Sequence, residues 1–222
     1  MHHCYKAVIF DLDGTLVDTI ADIAASMNRS LELHGFPPLA PEEYTAKVGW
    51  GIYRLALLTL PQAVRESGEA EPLAQVIAQD ATRFYAAQPL VHSAPYPGIP
   101  ALVAALQERT IKTAVLTNKP DPVAHLVIQG LFPPGSFNRI QGDRAGLPRK
   151  PDPGSVGELL QALDASPAET ILVGDSEIDM ETAHAAGCFA LGVSWGFRPR
   201  RVLERSGAAR IIDRPAELLG LL

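Results

Sequence analysis

The chain has 222 residues, 47% of them hydrophobic and 20% charged, which is enough apolar material to bury an ordinary globular core. Its 25 acidic residues against 19 Lys and Arg give a formal net charge of −6, which argues against the basic surface that nucleic-acid binding requires. The two cysteines, Cys4 and Cys188, lack metal-ligand spacing, and no apolar stretch is long enough to cross a bilayer. These features predict a cytoplasmic protein that binds neither nucleic acid nor membranes.

Short apolar runs, typical of buried strands, recur along the chain and end at polar residues or glycine. They occupy residues 7–10, 113–116, 170–173, 190–193 and, with a weaker pattern, 210–212. Helical patterns separate them at residues 99–109, 122–130, 155–163, 180–186 and 201–206. This alternation predicts an α/β fold with a doubly wound, mainly parallel, Rossmann-like sheet that is covered on both faces.

One long segment, residues 19–88, breaks the alternation because it is helical throughout. Its predicted helices are 20–34, 41–48, 52–60 and 72–87, with Gly and Pro at the joints. We therefore predict an all-helical cap domain at 19–88, inserted into a discontinuous catalytic core formed by 1–18 and 89–222. Residues 94–98, APYPG, are stiff and turn-forming, which suits the return of the chain to the core.

The segment 11–15, DLDGT, follows the first predicted strand and carries two carboxylates one residue apart. Both cannot be buried without a compensating cation or proton. A divalent metal would hold Asp11 ionised as a nucleophile, while Asp13 could protonate a leaving alcohol and then activate water. Gly14 would let the backbone approach a phosphate and offer an unhindered N–H. Taken alone, Asp13 and Gly14 would more often form an ordinary turn after a strand.

Two further segments, the end of the second predicted strand and the residue before Pro151, carry groups that suit a phosphoryl substrate. Thr117 and Asn118 could donate hydrogen bonds to phosphoryl oxygens, although such residues occur in many loops. Lys150 could neutralise both a carboxylate and a transferring phosphoryl group, with a solvated surface lysine as the alternative. Ligands of parallel sheets bind beyond the carboxyl ends of the strands, so Thr117 and Asn118 should meet Asp11 at one edge.

Acidic residues follow the strand predicted at 170–173. Asp175 should face the same edge as Asp11, and two carboxylates together with waters suit octahedral Mg²⁺. Asp179 lies one helical turn beyond and could orient Lys150 or a metal-bound water. It could also simply stabilise the N-terminus of its helix. Glu177 is expected to be a solvated helix residue.

In this order, residues 11–15, Thr117, Lys150-Pro151 and 174–179 resemble the four motifs of the haloacid dehalogenase superfamily. The resemblance covers essentially the whole chain, including the helical segment, which is similar to that superfamily's cap. The second carboxylate of DLDGT excludes the dehalogenase branch, which lacks it.

The resemblance implies a Mg²⁺-dependent phosphatase. Asp11 would be the nucleophile, Asp13 the general acid and base, Thr117 a phosphoryl ligand and Lys150 the charge-compensating group. Asp11, Asp175 and the backbone carbonyl of Asp13 would bind the metal.

A narrower resemblance bears on the substrate. Residues 48–51, 94–98 and 117–120 are similar to those of phosphoglycolate phosphatases, although Asp152 follows Lys150-Pro151 where that group often has His. We therefore expect a small phosphate ester, 2-phosphoglycolate, as substrate. Gly49 and Gly51 would let a cap loop close over it and present N–H groups to its anionic end, or they would merely join two cap helices.

Other functions share parts of this pattern. A phosphosugar mutase or a pyrophosphatase of the same fold would use the same phosphoenzyme chemistry. A phospho-accepting signalling receiver would be a single domain of roughly 120 residues without a helical insert. A catalytically silent binding module is disfavoured because every chemical position is filled. The sequence makes no prediction of oligomeric state.

Overall fold

The computed structural model describes residues 5–222, so Cys4 and the first residues of the predicted core lie outside the described part. In chain order, the described elements are β1 Ala7–Phe10, β2 Val17–Asp18, α1 Ile20–Leu33, α2 Pro41–Thr45, α3 Ile52–Thr59, α4 Gln62–Arg65, α5 Ala70–Ala87, β3 Ala94–Pro95, α6 Ile99–Glu108, β4 Lys112–Pro120, α7 Asp121–Leu131, β5 Arg139–Asp143, α8 Gly154–Leu163, β6 Thr170–Gly174, α9 Glu177–Ala186, β7 Phe189–Val193, α10 Arg200–Arg205 and β8 Arg210–Ile212. Short 3₁₀ helices cover Pro167–Glu169 and Pro215–Gly220.

A parallel sheet of six strands forms the centre of the molecule, in the order β5-β4-β1-β6-β7-β8. Strand β1 pairs with β4 on one side and with β6 on the other, so the strand order reverses at β1. Parallel α/β sheets bind ligands in the crevice at such a reversal, beyond the carboxyl ends of the strands. Asp11 is the first residue after β1 and therefore lies at this crevice.

Helices cover both faces of the sheet. Successive side chains of β1 point to opposite faces, so the strand packs against helices on both sides. Val8 and Phe10 pack into the cluster that contains the apolar residues of α6 and α7. Ala7 and Ile9 pack into the cluster formed with α8, α9 and α10. A strand that is buried on both faces reads as a continuous apolar run, which is what residues 7–10 show.

Between β2 and β3, the described elements are helices only, and α5 packs against both α1 and α3. The antiparallel pair β2–β3 joins the chain segment that enters this helical cap to the one that leaves it. Asp22 on α1 reinforces the junction: its Oδ2 accepts hydrogen bonds from Ser93 N at 2.8 Å and Ser93 Oγ at 2.6 Å. The architecture is an α/β core with an inserted helical cap, and the boundaries at 18/19 and 88/89 stay our proposal.

Several predicted elements differ from the observed ones. The strand expected at 113–116 is longer, since β4 continues to Pro120 with a register shift against β5 after Leu116. Strand β5 and the short helix α4 were not predicted. The helix expected at 41–48 is shorter and ends at Thr45. The structure thus places Thr117 and Asn118 in the irregular last part of a strand instead of after it.

No helix within residues 5–222 combines the length and the apolar character that crossing a membrane requires.

Candidate active site

Three side chains from distant parts of the sequence share buried ionic contacts at the carboxyl edge of the sheet. Lys150 Nζ lies 2.7 Å from Asp11 Oδ1 and 2.6 Å from Asp179 Oδ1. All three residues are buried. Asp179 Oδ2 in turn accepts hydrogen bonds from the backbone N–H and the hydroxyl of Ser176, the residue that precedes α9. Lys150 is thereby fixed between the residue after β1 and the first turn of α9.

Asp175, the residue after β6, is held by donors from two other segments. Its Oδ2 accepts a hydrogen bond from Phe197 N at 2.7 Å, and its Oδ1 accepts one from Thr15 Oγ1 at 3.3 Å. A Cβ on Gly14 would lie 2.5 Å from Asp175 Oδ2, and Gly14 has φ +88°. Gly14 is therefore placed where both its conformation and its lack of a side chain let the DLDGT turn approach this carboxylate.

The electrostatics of the acidic groups favour the binding of a further positive charge. Burial raises the pKa of Asp11 well above its usual range, although the nearby Lys150 charge lowers it in part. Burial, followed by the charge of Asp179, raises the pKa of Asp175 to about 7. Burial alone lowers the pKa of Lys150, but the charges of Asp11 and Asp179 outweigh it and raise that pKa overall. One ammonium thus leaves the carboxylates incompletely compensated.

A divalent cation fits this requirement. Carboxylate oxygens of Asp11, Asp175 and Asp179 all lie within 4.8 Å of one another, and the donor set consists of oxygen atoms, which Mg²⁺ prefers. Asp179 belongs to this cluster, although the sequence suggested for it only an orienting role near the metal. The resemblance assigned only the backbone carbonyl of Asp13 to the metal. The carboxylate of Asp13 is not part of this cluster.

Asp13 instead forms a separate ion pair with Lys119. Lys119 Nζ lies 2.8 Å from Asp13 Oδ1 and 3.1 Å from Oδ2. The hydroxyl of Thr19 donates to the same Oδ1 at 2.7 Å. From the cap helix α5, Tyr85 accepts a hydrogen bond from Lys119 Nζ at 2.9 Å, and the ammonium lies 4.1 Å from the centroid of the Tyr85 ring.

Asn118 connects the core to the cap loop. Its Nδ2 donates to Gly49 O at 2.9 Å and to Lys150 O at 3.0 Å, while its Oδ1 accepts from Lys150 N at 3.0 Å. Gly49 and Gly51 have φ values of +114° and +85°, so both favour glycine. Thr117 is buried, and its hydroxyl accepts a hydrogen bond from Lys119 N at 3.2 Å. Asn118 thus holds both the Lys150 backbone and the predicted substrate loop.

A second contact with the same cap loop comes from Arg198, which follows β7. Its guanidinium donates to Val48 O at 2.8 Å and to Thr45 O, and its Nε lies 3.0 Å from Glu177 Oε2. Glu177, expected to be solvated, is therefore half-buried in an ion pair. Arg198 ties the loop after α2 to the start of α9.

These groups surround one cavity between the cap and the sheet edge. All the predicted site residues except Gly14 and Asp179 line it, and these two lie directly behind Asp175 and Lys150. Lys119, Tyr85 and Arg198 also line the cavity, although no pattern in the sequence assigned them a role. Lys119 follows Asn118 directly, and this position at a predicted strand end could have indicated that it belongs to the site. Nothing in the helical pattern of α5 distinguished Tyr85 from a core residue.

Comparisons with known proteins agree with this geometry. Residues 8–193 match the family model of haloacid dehalogenase-like hydrolases. The phosphoglycolate phosphatase of Rhodospirillum rubrum is 34% identical, over 96% of this chain and 89% of its own length. That of Aquifex aeolicus is 30% identical, over 98% of this chain and 96% of its own length.

Solved structures give the same result. A candidate phosphoglycolate phosphatase from Lactobacillus delbrueckii subsp. bulgaricus has a TM-score of 0.87 at 29% identity, covering 96% of both chains. CbbY from Rhodobacter sphaeroides, in complex with xylulose-(1,5)bisphosphate, has a TM-score of 0.79 at 25% identity and covers 96% of both chains. The chain belongs to the haloacid dehalogenase-like hydrolase family.

Proposed function

We propose that this chain is a Mg²⁺-dependent phosphatase that hydrolyses 2-phosphoglycolate through an aspartyl-phosphate on Asp11. One observation supports this proposal above the others: Asp11 lies buried at the reversal point of the sheet, paired with Lys150 and next to two further carboxylates. A buried carboxylate at a ligand-binding crevice, held by a fixed cation, has the features of a positioned nucleophile.

The metal ligands in this proposal are Asp11, Asp175 and the Asp13 carbonyl, with Asp179 close enough to bind directly or to orient Lys150. When bound, Mg²⁺ offsets the negative charge of the phosphoryl oxygens and of the carboxylates. Lys150 adds a second fixed positive charge, and the hydroxyl of Thr117 is available to donate a hydrogen bond to a phosphoryl oxygen.

The proposed reaction has two steps. In the first, Asp11 attacks phosphorus, the bond from phosphorus to the ester oxygen breaks, and protonated Asp13 gives its proton to the leaving glycolate oxygen. In the second, water attacks the aspartyl-phosphate, Asp13 takes a proton from that water, and the bond from phosphorus to Asp11 breaks. Inorganic phosphate leaves, and both aspartates return to their starting forms.

The choice of substrate is supported by the named relatives and by the cap loop. Both relatives described above are phosphoglycolate phosphatases. Asn118 and Arg198 hold the loop of residues 45–51 against the core, and this loop forms part of the cavity wall, where it can help to shield a small ester from water. A cytoplasmic location and the absence of a nucleic-acid substrate remain predictions from the sequence.

A phosphate-release screen tests the proposal. Purified protein with Mg²⁺ or with EDTA would be offered 2-phosphoglycolate, pyrophosphate, a hexose 1-phosphate, a pentulose bisphosphate and nucleotides. We expect the highest kcat/KM for 2-phosphoglycolate and no turnover in EDTA. A higher kcat/KM for pyrophosphate would refute the substrate, hexose 6-phosphate as product would indicate a mutase, and full activity in EDTA would refute the metal requirement.

A further inference from the structure

Three cationic side chains line the cavity among the described residues, and their partners differ. Lys150 is bonded to Asp11 and Asp179, the groups assigned to the phosphoryl end. Arg198 has its guanidinium occupied by Glu177 and by two cap carbonyls. The third, Lys119, is paired with Asp13. Only this third pairing has to change during the proposed reaction, because Asp13 must turn to the ester oxygen of the substrate.

Lys119 is rigidly presented to the cavity. Its side chain is 3% exposed, and the Tyr85 ring from the cap lies against its ammonium. Asp13 is more open, with 18% of its side chain exposed, so it is the partner that can move away. A buried ammonium that loses its carboxylate requires another anion in its place, since an unpaired buried charge is costly.

The chemistry of a short phospho acid provides that anion. In 2-phosphoglycolate a single methylene separates the ester oxygen from the carboxylate. When the ester oxygen of such a substrate contacts Asp13, the carboxylate of the substrate therefore lies close to Lys119, the partner that Asp13 gives up. The cap also lines the cavity with the apolar side chains of Ile23, Ile52 and Leu55, which offer no partner for an anion.

We propose that Lys119 binds the second anionic group of the substrate and exchanges Asp13 for it, which makes Lys119 the residue that selects phosphorylated acids over neutral phosphate esters. This inference rests on the proposed phosphatase function and adds the identity of the group that recognises the substrate's carboxylate. Asp13 and the substrate carboxylate then compete for one ammonium, and binding of an acid releases Asp13 for proton transfer.

Binding of an unreactive analogue tests the exchange without relying on turnover. In 3-phosphonopropionate a methylene replaces the ester oxygen of 2-phosphoglycolate, and 3-phosphonopropanamide is its neutral counterpart. By calorimetry with Mg²⁺, we expect Lys119→Met to weaken binding of the acid by about 30-fold, the range for a charged hydrogen bond, and binding of the amide by less than about 3-fold. Lys112→Met, at the exposed start of the same strand, is the matched control.

If Asp13 and the substrate carboxylate compete for the Lys119 ammonium, removing the charge of Asp13 should strengthen acid binding. A purely structural role for Lys119 would not predict this. Asp13→Asn should bind 3-phosphonopropionate more tightly than the unaltered protein does, while its affinity for the amide stays the same. If Lys119→Met does not fold, the double variant Asp13→Asn/Lys119→Met removes both charges and is compared with Asp13→Asn. The double variant should lose the preference for the acid.

The outcomes separate this inference from the proposed function. An equal loss of acid and amide binding in Lys119→Met, or no preference for the acid in the unaltered protein, would overturn the assignment of Lys119. In turnover assays, Lys119→Met should lower kcat/KM by a larger factor for 2-phosphoglycolate than for 2-hydroxyethyl phosphate, because both substrates need Asp13 but only the first has a carboxylate for Lys119. If 2-phosphoglycolate is a poor substrate yet the acid preference depends on Lys119, the substrate proposal fails and the assignment of Lys119 stands.

Discussion

Lys150 and Asp179 lie 2.6 Å apart, ammonium to carboxylate, and both side chains are almost fully buried. The same ammonium reaches Asp11 at 2.7 Å, so one lysine joins the proposed nucleophile to the first turn of α9. Asp179 is itself fixed by two hydrogen bonds from Ser176. Any displacement of Asp179 is therefore transmitted to Lys150 and from there to Asp11.

Replacing Lys150 and Asp179 should have different effects. Lys150→Ala removes a preorganised positive charge at the phosphoryl group, and we expect kcat to fall by about 100- to 1,000-fold. Asp179→Asn keeps the shape but not the charge, and we expect mainly a weaker activation by Mg²⁺, by about 10- to 100-fold. Mg²⁺ titrations of activity distinguish the two, with Lys112→Ala as a control. Small and equal effects would contradict both roles.

The proposed covalent intermediate depends on Asp11. Asp11→Asn replaces a nucleophilic, metal-binding carboxylate by a neutral amide, so both turnover and phosphoenzyme formation should disappear. Acid quenching followed by intact-mass measurement would detect the phosphoenzyme in the unaltered protein. Asp18→Asn changes an exposed aspartate on β2 and should leave both signals unchanged. Substantial turnover by a folded Asp11→Asn variant would exclude the mechanism.

The raised pKa values of Asp11 and Asp175 predict how pH and Mg²⁺ affect stability. Burial, and next the charge of Asp179, raises the pKa of Asp175 to about 7 in the metal-free fold, against about 4 in an unfolded chain. Between these values the folded state binds more protons than the unfolded state. The free energy of unfolding of the metal-free protein should therefore fall as pH rises through this window.

Thermal melts in EDTA and in Mg²⁺ check this expectation. Because Mg²⁺ binds ionised carboxylates, its stabilising shift in Tm should be larger at pH 8 than at pH 5.5. Asp175→Asn cannot ionise at this position and should lose part of the pH dependence of the shift, while the raised pKa of Asp11 retains the rest. A larger Mg²⁺ shift at the lower pH would show that the sign is wrong.

The glycines of the cap loop provide a test of loop geometry. Gly49 has φ +114°, and a Cβ there would lie 2.9 Å from Ile178 Cδ1. Gly49→Ala should displace the loop, weaken the hydrogen bond from Asn118 and raise KM more than it lowers kcat. Gly35→Ala carries a similar backbone penalty at φ +78° but meets no atom within 4 Å. Equal KM values in the two variants would argue against a role of this loop in substrate binding.

Much of the core could be predicted from the sequence for a simple reason. Strands β1 and β6 are buried on both faces, so they appear as continuous apolar runs, and each is followed directly by an acidic residue. Parallel pairing then brings Asp11 and Asp175 to one edge without further information. Strand β5 lies at the edge of the sheet, pairs with one neighbour and contains Arg, Gln and Asp, so it lacks that apolar run. Strand β5 was therefore not predicted from the sequence.

What the sequence by itself determined are the order of the apolar strands and of the longer helices, the helical insert and the polar groups at the strand ends. Only the tertiary structure decided which of these groups pair. Lys119 meets Asp13 and Tyr85, and Arg198 meets Glu177 and the carbonyl of Val48. These contacts join residues that are tens to more than a hundred positions apart. Hydrophobic periodicity specifies which face of an element is buried, but the partner of a buried charge depends on how cap and core pack together.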